Sequence, residues 1–361
     1  MKTSRIIIVV LVVLVIVVAA IYAVSVLTAS PSLCTSTWDC GAGYPVEVGG
    51  TFAIAGQQCL SGPSSVYCIG GQDANTGPRN EVYYTSTIAS SGNITGWALS
   101  PNSYPQYING ESCVLYSGSI YCVGGSYNDN EDDVASSYYT TLAASGSLGN
   151  WSSTTAYPIP IDSQSCVASS SYIYCVGGFN ETDGSNADAT PTNSVWYAPL
   201  SSSGIGEWSL TTPYPANVYL PSCFASGSEV YCVGGEDGND NSLGTAYYAT
   251  LSSSGVGAWT STTSYPVAGT GQACVISSGN ILCVGGETAG GSSPSYTNAV
   301  YYASISSGGI GAWKQSQGYP ISVQTACAAL SGDIYCMGGF DGSSVGENNF
   351  VEYASLSSLM S

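Results

Sequence analysis

The chain of 361 residues contains no histidine. That excludes a histidine-based catalytic triad and any histidine-ligated copper or zinc centre. Basic residues are almost as scarce: Lys2, Arg5, Arg79 and Lys314 stand against 23 acidic residues. Beyond Leu27 two basic groups face all 23 acids, a net of −21 at neutral pH. Such a surface repels nucleic acid and anionic lipid headgroups and attracts cations. One arginine beyond Leu27 also leaves no arginine cluster of the sialidase kind. Charged residues make up only 7% of the chain, and no long polar periodic stretch reads as an amphipathic helix.

What is present is glycine, serine, tyrosine and short apolar runs. Runs rich in Val, Ile and Tyr, broken by Gly, Ser, Asn and Asp, predict an all-β fold. The N-terminus differs. Residues 1–5 carry Lys2 and Arg5, and the run from Ile6 to Leu27 is uncharged and mostly apolar. At about 1.5 Å per residue it spans a hydrocarbon core of roughly 30 Å. Residues 6–27 are therefore read as a transmembrane signal anchor, with a cleaved signal peptide as the alternative. Lys2 and Arg5 place residues 1–5 in the cytoplasm and the rest outside the cell, single-pass. Residues 28–36 form a short linker.

Residues 37–361 repeat. Six cysteine pairs share one spacing: Cys59 and Cys68, Cys113 and Cys122, Cys166 and Cys175, Cys223 and Cys232, Cys274 and Cys283, Cys327 and Cys336. Each second cysteine leads into Gly-Gly, from Gly70-Gly71 to Gly338-Gly339. A polar loop follows, then an aromatic strand such as "VYYTSTI", then tryptophan at Trp97, Trp151, Trp208, Trp259 and Trp313. Tyr-Pro comes six or seven residues after each tryptophan. Each unit holds four strand-like pieces.

The "IYCVGG" strand, the "YY" strand and the later tryptophan, recurring near every 50 residues, resemble kelch repeats. The resemblance implies a six-bladed β-propeller with one four-stranded blade per unit. It departs from the family in the cysteine pair and in lacking the arginine often found after the proline. Partner choice known from other kelch proteins does not carry over. Nor does the copper chemistry of kelch-like oxidases, which needs histidine. The last unit ends without its tryptophan piece, whereas Trp38 stands six residues before Tyr44-Pro45. Residues 37–45 are expected to supply the outer strand of the sixth blade and close the ring.

In "CVLYSGSIYC" a two-residue turn at Ser117-Gly118 puts Cys113 opposite Cys122 in a non-hydrogen-bonded pair. There the Cα atoms lie about 4.5 Å apart, within disulfide range. The other five units fit the same register. Metal ligation is the alternative, but such sites combine closer cysteines or histidine. Cys34 and Cys40 are expected to bond to each other. A phosphate loop at Gly-Gly would need a following helix and usually lysine, and the sequence offers neither.

Loops after Gly-Gly and after Tyr-Pro fall on one rim, long and acidic; the cysteine turns and "SSSG" turns fall on the other, which is expected to face the membrane. Asp129, Glu131, Asp132 and Asp133, and likewise Asp237 and Asp240, carry oxygens suited to Ca²⁺, although none forms an EF-hand pattern. The alternative is that they are solvated loop residues. Asn93, Asn150 and Asn180 stand in N-x-S/T sequons suited to glycosylation. The expected function is a non-enzymatic recognition or adhesion module at the cell surface, binding an extracellular protein or glycan through the acidic rim. The rivals are a structural subunit of the cell envelope and a carboxylate-based carbohydrate-active enzyme.

Overall fold

A computed structural model describes residues 34–45, 54–73, 77–127, 132–143, 145–180, 190–289, 295–342 and 347–361. The chain divides at Cys34 into two units, and the second, Thr35–Ser361, is a six-bladed all-β propeller. The span 6–27 lies outside the described residues. Among the described residues no helix is long and apolar enough to cross a membrane.

The second blade shows how a unit becomes a sheet. Ser112–Tyr116 is innermost and pairs antiparallel with Ser119–Val123, which pairs with Ser137–Thr141, and Ser152–Ser153 lies outermost. The turn residues Ser117 and Gly118 both have positive φ, 48° and 77°, as a two-residue hairpin turn needs to match strand twist. That turn fixes the register, so Cys113 meets Cys122 at a Cα separation of 4.0 Å. Five further disulfides repeat this, Cys59–Cys68, Cys166–Cys175, Cys223–Cys232, Cys274–Cys283 and Cys327–Cys336, at 4.0 to 4.1 Å. Cys34 and Cys40 are disulfide-bonded as well, and no cysteine is free.

Blades pack face to face through six apolar seams, each shared by two neighbours. Between blades 2 and 3, Val114, Tyr121 and Val123 meet Cys166, Ile173, Cys175 and Ala198. Each disulfide thus lies in the seam toward the preceding blade and contributes to that core. An aromatic cluster caps each seam: Tyr157 of the Tyr-Pro pair sits edge-on to Trp208 at 4.9 Å and to Trp196 at 6.4 Å. Trp196 therefore fills the slot that Tyr83, Tyr138, Tyr247 and Tyr301 fill elsewhere.

The sixth blade is completed by Asp39–Cys40, which pairs antiparallel with the strand Glu347–Ser355. Trp38 is fully buried, edge-on to Tyr319 at 4.9 Å. Three features go beyond the sequence reading. The outer strands are mostly two residues long. Two-residue ribbons such as Gln72–Asp73 with Gly77–Pro78 follow some of the Gly-Gly pairs. The chain ends in a helical turn, Leu356–Leu359, whose two leucines are buried in the last seam.

Candidate binding site at the channel mouth

The innermost strands surround a central cavity of about 600 Å³. Its walls come from all six blades, including the first cysteine of every pair. The mouth lies where residues after Gly-Gly bridge back to the segment before the inner strand of their own blade: Ala55 with Gln72, Asn109 with Ser126, Asp162 with Phe179, Tyr219 with Glu236 and Thr270 with Glu287. These bridges put the post-glycine and post-proline loops on one rim. Gly70 shows why glycine is needed there. Its φ is +59°, and a Cβ would lie 2.7 Å from the Ile108 carbonyl oxygen of the next blade.

Three residues before the first cysteine, the backbone turns into the left-handed region in five blades: Gly56, Gly110, Ser163, Leu220 and Gly271, with φ between 50° and 70°. Along part of the ring these residues join hands. The Gly110 amide donates to the Gly56 carbonyl at 3.4 Å, Ser163 to Gly110 at 2.9 Å and Leu220 to Ser163 at 2.8 Å. The result is a partial backbone collar around the channel, crossing from blade 1 to blade 4. A sequence signal for it existed in the recurring glycine at 56, 110 and 271.

Polar side chains crowd the mouth on the side of blades 1 to 3. Asn109 Nδ2 donates to Gln72 Oε1 at 2.5 Å. Ser126 Oγ donates to Asp133 Oδ1 at 2.8 Å and lies 3.3 Å from Asp162 Oδ2. Gln72, Asn109, Ser126 and Asp162 all line the cavity. The other side is aromatic and acidic. Phe179 stacks obliquely on Tyr219 at 5.3 Å, and Tyr296 meets Phe340 edge-on at 5.4 Å. The Glu236 carboxyl lies close enough to Tyr219 to raise its hydroxyl pKa, behind the larger effect of burial. Burial, then the charges of Asp240 and Asp237, raise the Glu236 carboxyl above the usual range; burial, then Glu236, raises Glu287. Tyr107 and Tyr127, 62% and 42% exposed, flank the residue pair Asn109 and Ser126.

The acidic residues singled out in the sequence fall differently. Asp129 and Glu131 lie outside the described residues. Asp133 is buried against Ser126. Asp237 folds its own loop: its Oδ1 accepts the Asn239 amide at 2.8 Å and the Asn241 amide at 3.1 Å. Those bonds, the Asn239 amide first, lower its pKa. Asp240 beside it has φ +56°. Among the described residues no three acidic or cysteine side chains converge as metal ligands. Of the sequons, Asn150 is exposed at the start of an outer strand. Asn93 has its Oδ1 buried, and Asn180 donates its side-chain amide to the Pro160 carbonyl.

The solved structure described as "Structure of YjhT", a kelch-repeat propeller protein, is similar to this chain with a TM-score of 0.67. The match covers 86% of this chain and 95% of that one at 13% identity, which makes it a likeness of fold. No protein-family model and no curated protein sequence matches the chain.

Proposed function

We propose that the chain is a membrane-anchored, extracytoplasmic recognition module, and that its ligand is a neutral glycan held at the channel mouth. The observation that carries this reading is a concave polar cavity whose lining residues Asn109 and Ser126 have exposed tyrosines, Tyr107 and Tyr127, close to them in the chain. Sugar rings present hydroxyls that pair with side chains such as Gln72, Asn109 and Asp162, and apolar faces that lie on aromatic rings. Concave sites with a few convergent polar groups are where small ligands bind. The net charge beyond Leu27 disfavours anionic sugars. Seven disulfides fit an oxidising compartment, and the uncharged run from Ile6 to Leu27 fits an anchor.

The test is a glycan array probed with the purified full chain. Binding of neutral oligosaccharides that falls tenfold or more in the Tyr107→Ala/Tyr127→Ala double variant, with Tm held, supports the reading. An array without signal, alongside capture of a surface protein that tolerates the double variant, replaces it with protein recognition.

A second reading, a carboxylate-based carbohydrate enzyme, draws on Glu236 and Glu287, whose carboxyls are both held above their ordinary range. Release of reducing sugar from a bound glycan, abolished by Glu236→Gln, would favour it.

A further inference from the structure

One position in the blade–blade joints departs from its repeat in a way that changes a proton. Two residues before the first cysteine, three units carry glutamine, and each glutamine ties its blade to the one before. Gln57 Nε2 donates to the Met337 carbonyl at 2.7 Å, Gln164 Nε2 to Val123 at 2.8 Å and Gln272 Nε2 to Val233 at 2.8 Å. In every case the acceptor is the residue just before Gly-Gly. The second blade has Glu111 at this position.

Glu111 takes up the same place in space. A Cβ built on Gly70 would lie 2.9 Å from Glu111 Oε1; one on Gly124 or Gly338 would lie 2.9 Å from Nε2 of Gln164 or Gln57. The matching acceptor is the carbonyl of Ile69, which precedes Gly70. Glu111 is only 2% exposed, and neither carboxylate oxygen meets a donor from another residue; its own backbone amide works against the effect of burial without cancelling it. An ionised carboxylate would be left uncompensated there, whereas a carboxylic acid can donate as the glutamine amide does.

We infer that Glu111 is a protonated carboxylic acid that donates to the Ile69 carbonyl, so that the joint between blades 1 and 2 is a proton-dependent latch. The groups facing it do not supply a counter-charge. Tyr104 and Tyr44 lie close enough to feel its charge, and both are buried and held neutral. Arg79 bridges Asp73 and Glu81 instead, at 3.0 and 2.7 Å. Burial accordingly raises the Glu111 carboxyl to about 8. Since the folded pKa exceeds the unfolded one, the acid stays protonated in the folded chain up to about pH 8; its contribution to stability is full below about pH 4.5 and is lost between there and about pH 8. No further loss follows above that.

The experiment compares the full chain with Glu111→Gln, which installs the residue used at three other joints. Infrared difference spectra at pH 6 should show a protonated-carboxyl band in the wild type that is missing in the variant. In denaturant titrations the ratio of wild-type to variant unfolding constants should rise up to tenfold per pH unit between pH 5 and 8, then level off. An unchanged infrared band, or a ratio flat across this range, overturns the inference. So does a Glu111→Gln chain that does not fold, because glutamine would then not be equivalent. Glu111→Ala should lose stability at pH 5, where the wild-type latch contributes, and the loss should shrink toward pH 8; retention of wild-type stability at pH 5 would equally refute the latch.

Discussion

Asp39 lies opposite Tyr353 in an antiparallel pair, with Cys40 opposite Glu352, so segments more than three hundred residues apart share one blade. The clasp is short, two residues of ladder, and its packing rests on Trp38. Trp38 is completely buried against Tyr319, whereas Trp313 in the equivalent place of blade 5 is partly exposed. Trp38→Ala should therefore cost about 3–5 kcal/mol. Urea unfolding should show a smaller loss for Trp313→Ala.

In the same blade Glu352 occupies the slot that an aromatic residue fills in the other five, and Tyr319 donates its hydroxyl to it. The corresponding hydroxyls of Tyr44, Tyr104, Tyr214 and Tyr265 have no partner. Burial raises the Glu352 carboxyl to about 7, and the Tyr319 bond works against that rise. A raised carboxyl pKa favours the folded state most at acid pH, and that advantage is lost from about pH 4.5 up to about 7. Relative to Glu352→Gln, the wild type should lose on the order of 3 kcal/mol across this window and nothing more above it. Thermal melts at pH 5, 6, 7 and 8 would check the shape of that curve.

Each disulfide closes a loop of about ten residues, which in the chain-entropy model contributes roughly 2–3 kcal/mol. Replacing Cys113 and Cys122 together by alanine should cost about that much plus the lost seam packing. Non-reducing peptide mapping should find each cysteine of the six inner pairs linked to its partner nine residues away. A linkage between different blades would contradict the seam arrangement.

Ser163 sits in the collar at φ +53°, where Gly56 and Gly110 stand in the two preceding blades. Its amide, not its side chain, makes the collar bond. Ser163→Gly should therefore stabilise the chain by about 0.5–1 kcal/mol by relieving left-handed strain. Tm measured for both proteins would decide it; a lower Tm for the variant would mean the hydroxyl matters more than the backbone.

Much of the architecture was legible because β structure writes itself in short range. Two-residue turns, cysteine spacing and the Gly-Gly pairs each fix a register locally, and six copies make the pattern hard to miss. Trp38 could be assigned to the last blade by counting alone. The site was less legible. Asn109 and Ser126, with Tyr107 and Tyr127 as chain neighbours, meet only because a bridge between two loops pairs them. Glu111 looked like one more acid among 23 until its position was compared with Gln57, Gln164 and Gln272. Asp237 carried the opposite lesson: a carboxylate in an acidic loop turned out to hold its own backbone.

The six inner cross-links are all contained within single hairpins. Each hairpin can therefore oxidise as soon as its own two cysteines are present, without waiting for later sequence. The joint between the last blade and the start of the propeller, including Asp39 opposite Tyr353 and Gln57 on Met337, requires the last segment to have arrived. Covalent cross-linking and ring assembly are in this way separable: the first is local to a hairpin, and the second needs both ends of the propeller.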